Sequence, residues 1–364
     1  MNAPSKYFDG VNKYIRITDI DEQTSEYKQD SIVSPDAPLE DKYIVKDRDI
    51  LFARTGASTG KTYIYNPQDG KMYYAGFLIR ANVKMADNPK FVFYQTQTHR
   101  YKKWVSIMSM RSGQPGINSQ EYASYKFWKP SKDEQDKISA LISLLDMRIQ
   151  TQKKIIEKQE SLIRGLTDTA FNCKSSIPLI NFSNLYDDAG EGGTPSTSNS
   201  EYYDGGTIPF IKIDDIMTKY LVTHKDCITE QGMQKSSAWL IPSGSVIYSN
   251  GATIGSIAIN TYPVCTKQGI LGIIPKDNVD VEYLYYFMTS VYFRKEIHRI
   301  ITEGTMKTAY LKDINKILCP LPDLATQRSI ANKLASMTKR IELDKRTLSL
   351  LQTQKKYLLS HLFI

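Results

Sequence analysis

The sequence predicts an α+β protein: two tandem copies of one mixed α/β domain, each followed by a long helix. Three observations predict it. The chain repeats itself with a period of 192–196 residues, each copy carries strand-like runs punctuated by glycine turns, and two long proline-free segments carry a heptad-like apolar stripe.

The repeat consists of blocks that recur in the same order. Tyr7-Phe8-Asp9-Gly10 returns as Tyr202-Tyr203-Asp204-Gly205, and YIRITDI (14–20) returns as FIKIDDI (210–216). YIVKDRDILFA from Tyr43 matches WLIPSGSVIYS from Trp239, and the turn TGASTG (55–60) matches NGATIG (250–255). FVFYQTQTHRYKK from Phe91 aligns with YLYYFMTSVYFRK from Tyr283, and KPSKDEQDKI (129–138) with LPDLATQRSI (321–330). So long a period excludes a solenoid. It marks a duplicated domain, and duplication implies pseudo-twofold symmetry. The boundaries read as 1–130 for the first domain, 131–172 for its helix, 173–322 for the second domain and 323–364 for its helix.

Each helix opens with a cap. Ser131, with Glu134 three residues on, forms a capping box, and Asp323 is the second N-cap. The first stripe is Ile138, Leu141, Ile142, Leu145, Ile149, Ile156, Ile163, Leu166 and Ala170. The second is Ile330, Leu334, Met337, Ile341, Leu348, Leu351, Leu358 and Leu362. At 1.5 Å per residue each helix reaches about 60 Å. A lone amphipathic helix needs a partner for its stripe. Each supplies the other in an antiparallel coiled coil, which would place one domain at each end. Leu144, Ile155, Leu162, Leu343, Leu350 and Leu359 fall off the stripe. Of these, Leu162 and Leu359 are the candidates for docking a partner.

In the globular parts, strands are expected at Tyr14–Thr18, Asp49–Ala53, Lys61–Tyr65 and Phe77–Val83, and at Phe210–Ile213, Ser245–Ser249, Ser256–Asn260 and Ile270–Ile274. Helices are expected over Pro89–Met108 and Val281–Ile301. Gly190–Ser200 reads as a linker or as a loop near a ligand. Copy two has Ile177–Ser200 ahead of its YYDG block, whereas copy one begins almost directly at YFDG. The first domain therefore lacks an opening strand, or is a truncated form.

A hydrophobic fraction of 41% is enough for sizeable cores, and the formal charge of +8 is spread over both halves. A distributed basic excess suits phosphate contact. Cys173, Cys227, Cys265 and Cys319 form no CxxC pair and read as reduced thiols of a cytoplasmic protein. No apolar run is long enough to span a membrane.

Catalytic motifs are absent from this reading. Gly56–Thr62 resembles a phosphate-binding loop, but Thr55 stands where that pattern needs glycine, and copy two reads Gly255-Ser256-Ile257 there, with no lysine. A tight turn between two strands is the better reading, with Arg54 and Lys61 placed to touch a DNA phosphate. Asp36, Glu40 and Asp41 are too closely spaced for a nuclease metal site and are unmatched in copy two. No metal ligands and no catalytic residues are assigned. The segment Arg111–Asn118 and its counterpart Glu303–Ala309 are polar, contain glycine and differ between copies. Arginine and lysine pair with guanine, and glutamine and asparagine with adenine. Arg111, Gln114 and Asn118 in copy one, and Lys267, Thr305 and Lys307 in copy two, complete the DNA-binding candidates. An ordinary surface loop would vary in the same way.

With these blocks in place, the chain resembles the DNA specificity subunit of type I restriction–modification enzymes over essentially its whole length. The resemblance rests on GGTPS (192–196), FIKIDDI (210–216), NGATIG (250–255), TKQGILGIIP (266–275) and LPDLATQRSI (321–330), and on YIRITDI, RTGASTGK and KPSKDEQDKI in copy one. Copy one departs by having no GGTPS-like opening. The resemblance implies two target-recognition domains reading a bipartite site on double-stranded DNA, and no catalysis or cofactor in this chain. S-adenosylmethionine would belong to two modification subunits docked on the helices, and ATP and Mg to the partner subunits, with translocation and cleavage carried by the restriction subunits. The alternative is a stand-alone DNA-binding or adaptor protein without enzyme partners.

Overall fold

The computed structural model describes the chain except for Gln23, Arg111, Ser112, residues 172–176, Ala252, residues 302–306 and Ile364. Copy one contributes strands β1 (Ser5–Tyr7), β2 (Lys13–Ile15), β3 (Val33–Pro35), β4 (Asp49–Ala53), β5 (Thr62–Ile64), β6 (Met72–Tyr74) and β7 (Leu78–Asn82). Helices α1 (Pro89–Gln95), α2 (His99–Met108) and α3 (Ser119–Ala123) follow, then the long α4 (Lys132–Ala170). Copy two contributes β8 (Leu179–Asn181), β9 (Tyr186–Glu191), β10 (Ile208–Ile211), β11 (Tyr220–Leu221), β12 (Asp226–Ile228), α5 (Glu230–Gln234), β13 (Val246–Ser249), β14 (Ile257–Asn260), β15 (Cys265–Thr266) and β16 (Ile270–Pro275). It closes with α6 (Val281–Thr289), α7 (Val291–Ile300), α8 (Leu311–Ile314), β17 (Leu318–Pro320) and the long α9 (Leu324–Leu362).

The chain divides into two compact units that cut both long helices. One holds residues 1–153 with 346–364, the other residues 154–345. Each unit therefore contains a globular domain, the first part of one long helix and the last part of the other, and the two helix segments run antiparallel.

In the first unit β4 is the middle strand of an antiparallel β5-β4-β7 sheet. Its side chains alternate as a strand requires. Leu51 and Ala53 enter one core with Ile15, Tyr63, Met72 and Leu78. Ile50 enters another with Phe91, Tyr94, Ile142, Leu359 and Phe363. The second unit repeats this inside a five-stranded sheet, β11-β14-β13-β16-β9. There Val246 and Tyr248 face the core that holds Phe287 and Leu334, and Ile247 faces Ile211 and Ile241.

The YIRITDI and FIKIDDI blocks are strand ends that turn sharply. Asp19 accepts the Arg16 backbone N–H at 2.9 Å, and Asp215 accepts that of Lys212 at 2.9 Å. The first strand thus stops at Ile15, earlier than the sequence suggests. The expected helices Pro89–Met108 and Val281–Ile301 are each two helices. Thr98 and Ser290 are buried hydroxyls that cap the second of each pair, accepting from Tyr101 N–H at 3.2 Å and Phe293 N–H at 3.1 Å.

Gln135 and Gln327 occupy the same place in the two copies, both 1% exposed. Each accepts a backbone N–H, from Asn88 at 3.0 Å and from Asp280 at 2.9 Å. Each also donates to a carbonyl just before its own helix, Pro130 at 3.0 Å and Pro322 at 2.8 Å. The start of each long helix is thereby latched to the helix pair of its own domain. Both side-chain caps form: Glu134 N–H reaches Ser131 at 3.3 Å, the cap half of the expected box, and Thr326 N–H reaches Asp323 at 2.9 Å. That bond holds the Asp323 carboxyl below its ordinary pKa.

Of the stripe residues, Ile142, Leu145, Ile149, Ile156, Leu334 and Ile341 are buried, Ile142 in one core with Leu358 and Leu359 of α9 and Leu334 in the core of the second domain. Leu141 and Leu166 do not join the seam; they are 47% and 43% exposed. In the first unit Lys355 pairs with Asp146 at 2.6 Å. In the second, Asp344 lies buried in the seam and is satisfied by Gln159 at 3.0 Å and Arg340 at 3.1 Å. A polar group at such a position fixes register.

The helix ends complete the cores. Phe363 packs on Phe91 with centroids 5.1 Å apart, and Phe171, 192 residues earlier, packs on Tyr283 at the same 5.1 Å. Phe363→Ala is expected to cost about 3–5 kcal/mol, the usual range for a buried aromatic truncated in a packed core. Hydrogen exchange should speed up in β4 and β5 and leave β13 and β14 unchanged. Equal acceleration in both sets would mean that the contact does not belong to the first unit alone.

Candidate nucleic-acid interface

Three loops meet at one end of β4. Its first outlying residue, Arg54, donates its N–H to the Phe77 carbonyl at 3.0 Å and accepts Ile117 N–H at 2.9 Å. Gly56 N–H reaches the Pro115 carbonyl at 2.9 Å, and Thr55 bridges to Gly116. The 54–60 turn, the 75–77 turn and the 113–118 loop are thus tied through main chain. Side chains are left free to point outward.

The turn itself is shaped by glycine. Gly60 has φ +89°, and a Cβ there would come within 2.5 Å of Val105. Its N–H is shared by the Ala53 carbonyl and the Tyr122 hydroxyl, both at 3.0 Å. Tyr122 in turn donates to Ala53 at 2.6 Å, and Tyr101 donates to the Gly60 carbonyl at 3.2 Å. Burial pushes the Tyr122 hydroxyl up to about 12, so it remains a donor at neutral pH. Tyr101, Trp104, Tyr122 and Tyr125 pack as one aromatic cluster behind the turn.

Copy two builds the same junction with other side chains. Asn250 donates its N–H to Gly269 at 3.0 Å and accepts Ala309 N–H at 2.9 Å. Its side chain is buried, reaching the Ala309 carbonyl at 3.3 Å, where Arg54 is exposed. Ser249 closes the turn by accepting Ser256 N–H at 2.9 Å. The GGTPS segment packs directly against this junction. A Cβ on Gly192 would lie 2.0 Å from the Thr266 carbonyl, and one on Gly193 2.4 Å from Ala238 N. Glu191 accepts Gly269 N–H at 2.7 Å, and Thr194 accepts Gln268 N–H at 3.4 Å. Gly190–Ser200 is therefore no linker: Tyr186–Glu191 is a sheet strand, and the glycines after it allow backbone to pass against backbone.

Of the sequence-derived candidates, Arg54 and Gln114 are exposed and share the first junction, and a Cβ on Gly56 would sit 3.0 Å from the Gln114 amide nitrogen. Lys267 and Lys307 are exposed on loops of the second junction. Two expectations need correction. Asn118 spends its side-chain oxygen capping α3, accepting Glu121 N–H at 2.9 Å, so it is not available for a bidentate adenine contact. Lys61 is only 22% exposed and pairs with Glu22 at 3.6 Å, which a phosphate would have to displace. Arg111 and Thr305 lie outside the described residues. The loop does not act as a nucleotide-phosphate loop, since it joins two antiparallel strands and not a strand to a helix. Asp36 and Glu40 face Lys6 and Lys42 at 3.8 and 2.6 Å. Among the described residues no three His, Cys, Asp or Glu gather as metal ligands, and no helix is long and apolar enough to cross a membrane. The tyrosine hydroxyl under the turn was missed; only the spacing of Tyr122 from the variable loop could have signalled it.

A family model described as the type I restriction modification DNA specificity domain matches residues 1–160 and 187–353. The chain belongs to this family. It is 34% identical over 179 residues to the MjaIX specificity subunit of Methanocaldococcus jannaschii, an alignment spanning 48% of this chain and 40% of that protein. The MjaVIII specificity subunit of the same organism is 23% identical over 369 residues, 93% of this chain and 83% of that one. Two solved structures share the fold. A type I restriction–modification system S subunit from M. genitalium has a TM-score of 0.61 at 15% identity, covering 98% of this chain and 89% of its own. A chain from a study of assembly and conformational transition in the type I system has a TM-score of 0.59 at 18% identity, covering 98% and 91%.

Tyr122→Phe in this specificity protein should leave the Gly60 turn under-satisfied. A cost of about 1–3 kcal/mol, typical of a buried polar group losing its partner, is expected in urea unfolding. A change below the error of the measurement would mean that the Gly60–Ala53 backbone bond alone holds the turn.

Proposed function

We propose that this chain is a non-catalytic specificity subunit that reads a bipartite DNA target, one half-site per recognition domain. The observation that carries the reading is the repeated junction. The same backbone bonds tie three loops at Arg54 and at Asn250, while the exposed side chains differ: Arg54 and Gln114 in one copy, Lys267 and Lys307 in the other. A constant frame bearing different tips is what two readers of different sequences require. Arg54 and Lys267 suit phosphate or guanine, and Gln114 suits adenine. S-adenosylmethionine, ATP and Mg belong in this reading to partner subunits. Helices of 39 residues, each about 58 Å long, would set a non-specific gap between half-sites.

Gln114→Ala should weaken binding by about 1–3 kcal/mol and relax one position of one half-site. Competition binding against a panel of singly substituted duplexes measures this. A loss that is uniform across all duplexes would make Gln114 a backbone contact, and no loss would remove it from the interface.

The two modification subunits are proposed to dock on the outer face of the helix pair. On α4 that face carries Leu162, 54% exposed, and Leu166, with the small residues Ser161, Gly165 and Thr169 forming a groove between Lys158 and these leucines. Leu359 drops out of the docking surface. It is 7% exposed and packs in the core with Phe91 and Ile142, because the end of α9 is bound to the first domain. Leu162→Lys with Leu166→Lys should reduce assembly with the modification subunit at least tenfold by sedimentation, with the free chain's unfolding midpoint unchanged. Unaltered assembly would place the docking face elsewhere, or leave the stand-alone reading.

A further inference from the structure

The two copies carry their polar side chains on different loops of one frame. In copy one the exposed cation and amide of the junction are Arg54, which follows β4, and Gln114, on the 113–118 loop. Their counterparts in copy two lack these roles. Asn250 is buried, and the residue 192 places after Gln114 is Met306, which has no amide. The turn ahead of the next strand shows the reverse. Copy two has Lys267-Gln268 where copy one has Ala75-Gly76. Each copy thus brings a cation and an amide to its junction, on different loops.

The backbone of that turn is common to both copies. Ala75 N–H bonds the Ile15 carbonyl at 3.0 Å, and Leu78 N–H bonds the Ala75 carbonyl at 2.9 Å. Lys267 N–H bonds the Ile211 carbonyl at 2.9 Å, and Ile270 N–H bonds the Lys267 carbonyl at 3.2 Å. In copy two the N–H groups between them are also satisfied, Gln268 by the Thr194 hydroxyl at 3.4 Å and Gly269 by the Glu191 carboxylate at 2.7 Å. The Gly269 carbonyl accepts from Asn250 and Gly251 at 3.0 and 3.2 Å. Gly269 has φ +86°, and a Cβ on Gly251 would lie 3.1 Å from its Cα, so backbone packs on backbone here. Every N–H from 267 to 270 bonds within the protein, which leaves the turn no main-chain donor for DNA. It offers instead two exposed side chains, Lys267 and Gln268, neither with a partner among the described residues.

We infer that Gln268 is a base-reading residue of the second recognition domain, its amide donating to N7 and accepting from N6–H of one adenine, with Lys267 beside it on the DNA backbone. The inference rests on the reading of the chain as a DNA specificity subunit and adds a residue outside the variable loop. Charge separates the two roles. The Glu191 carboxylate is bound to the residue next to Gln268 and sets a negative charge where a phosphate on that amide would sit. A neutral amide facing a base edge meets no such repulsion. Readout also requires that the reader be held in place by its surroundings. The Thr194 and Glu191 bonds do this from the GGTPS side of the junction, and the Ile211, Asn250 and Gly251 bonds do it from the sheet side.

The test uses the intact chain, purified with the subunits that accompany it, and a pool of randomised DNA duplexes. Sequences enriched by the unaltered protein define the two half-sites. Gln268→Ala should lower the preference for adenine at one position of one half-site by about fivefold or more, the scale of a bidentate base contact, and leave the other half-site as it was. Gln114→Ala should leave that position untouched. A bipartite site enriched unchanged by Gln268→Ala overturns the inference and spares the reading of the chain. Weaker binding that is uniform over all sequences also overturns it, because Gln268 would then touch only phosphate, and so does relaxation of the same position by Gln114→Ala. An unaltered protein that enriches no sequence overturns the reading itself, and the inference with it.

Discussion

The contact on which both units depend is an aromatic ring delivered by a helix that begins in the other copy. Phe363, at the end of α9, packs on Phe91, and Phe171, at the end of α4, packs on Tyr283. Neither domain completes its core from its own contiguous segment. The first domain's core includes Ile142 from the helix that follows it and Leu359 and Phe363 from the far end of the chain. The gap from residue 91 to residue 363 is a long loop to close before the contact repays it. The arrangement therefore exchanges folding speed for mutual commitment, since each helix is pinned at its start by Gln135 or Gln327 and at its end by a phenylalanine. With both ends fixed, a helix has little freedom to slide, and the buried Asp344 further restricts register.

Pinning explains how much of the fold was legible. The repeat, most of the two stripes and the glycine turns are local or periodic, and these are the parts that the structure repeats. What failed involved groups whose roles are set by distant partners. Leu359 is off-stripe by spacing, and only the presence of Phe91 beside it makes it core. Leu141 is on-stripe by spacing and remains exposed. The breaks at Thr98 and Ser290 were locally encoded, since a hydroxyl three residues before an acceptable N3 is a cap signal, but the apolar periodicity across them masked it. Gly190–Ser200 was ambiguous because composition cannot tell a glycine that frees the chain from one that lets two backbones touch. Gly192 and Gly193 are of the second kind.

The candidate interface was legible in outline and not in detail. That the 54–60 turn and the 113–118 loop would converge could not be read from either alone, because the link is a pair of main-chain bonds at Arg54 that carry no sequence signature. Asn118 shows the opposite hazard. Its type suits adenine, yet the Glu121 that follows it at capping-box spacing claims its oxygen. At this position residue type alone misassigns the side-chain oxygen.

The division of labour between main chain and side chain is the last step. At the junction the backbone of residue 54 and that of residue 250 make the same two bonds, one to the loop ahead of β7 or β16 and one to the variable loop. Because those bonds need only an N–H and a C=O, the side chain is unconstrained by the frame: an exposed arginine in one copy, a buried asparagine in the other. Lys61 and Ser256 differ across the same turn without altering its pairing, since β4–β5 and β13–β14 keep one antiparallel register. A fold that holds its loops by main chain can exchange what the loops present at little cost to stability. Duplication then gives two surfaces that diverge independently, and that is the physical basis on which one architecture can carry many different specificities.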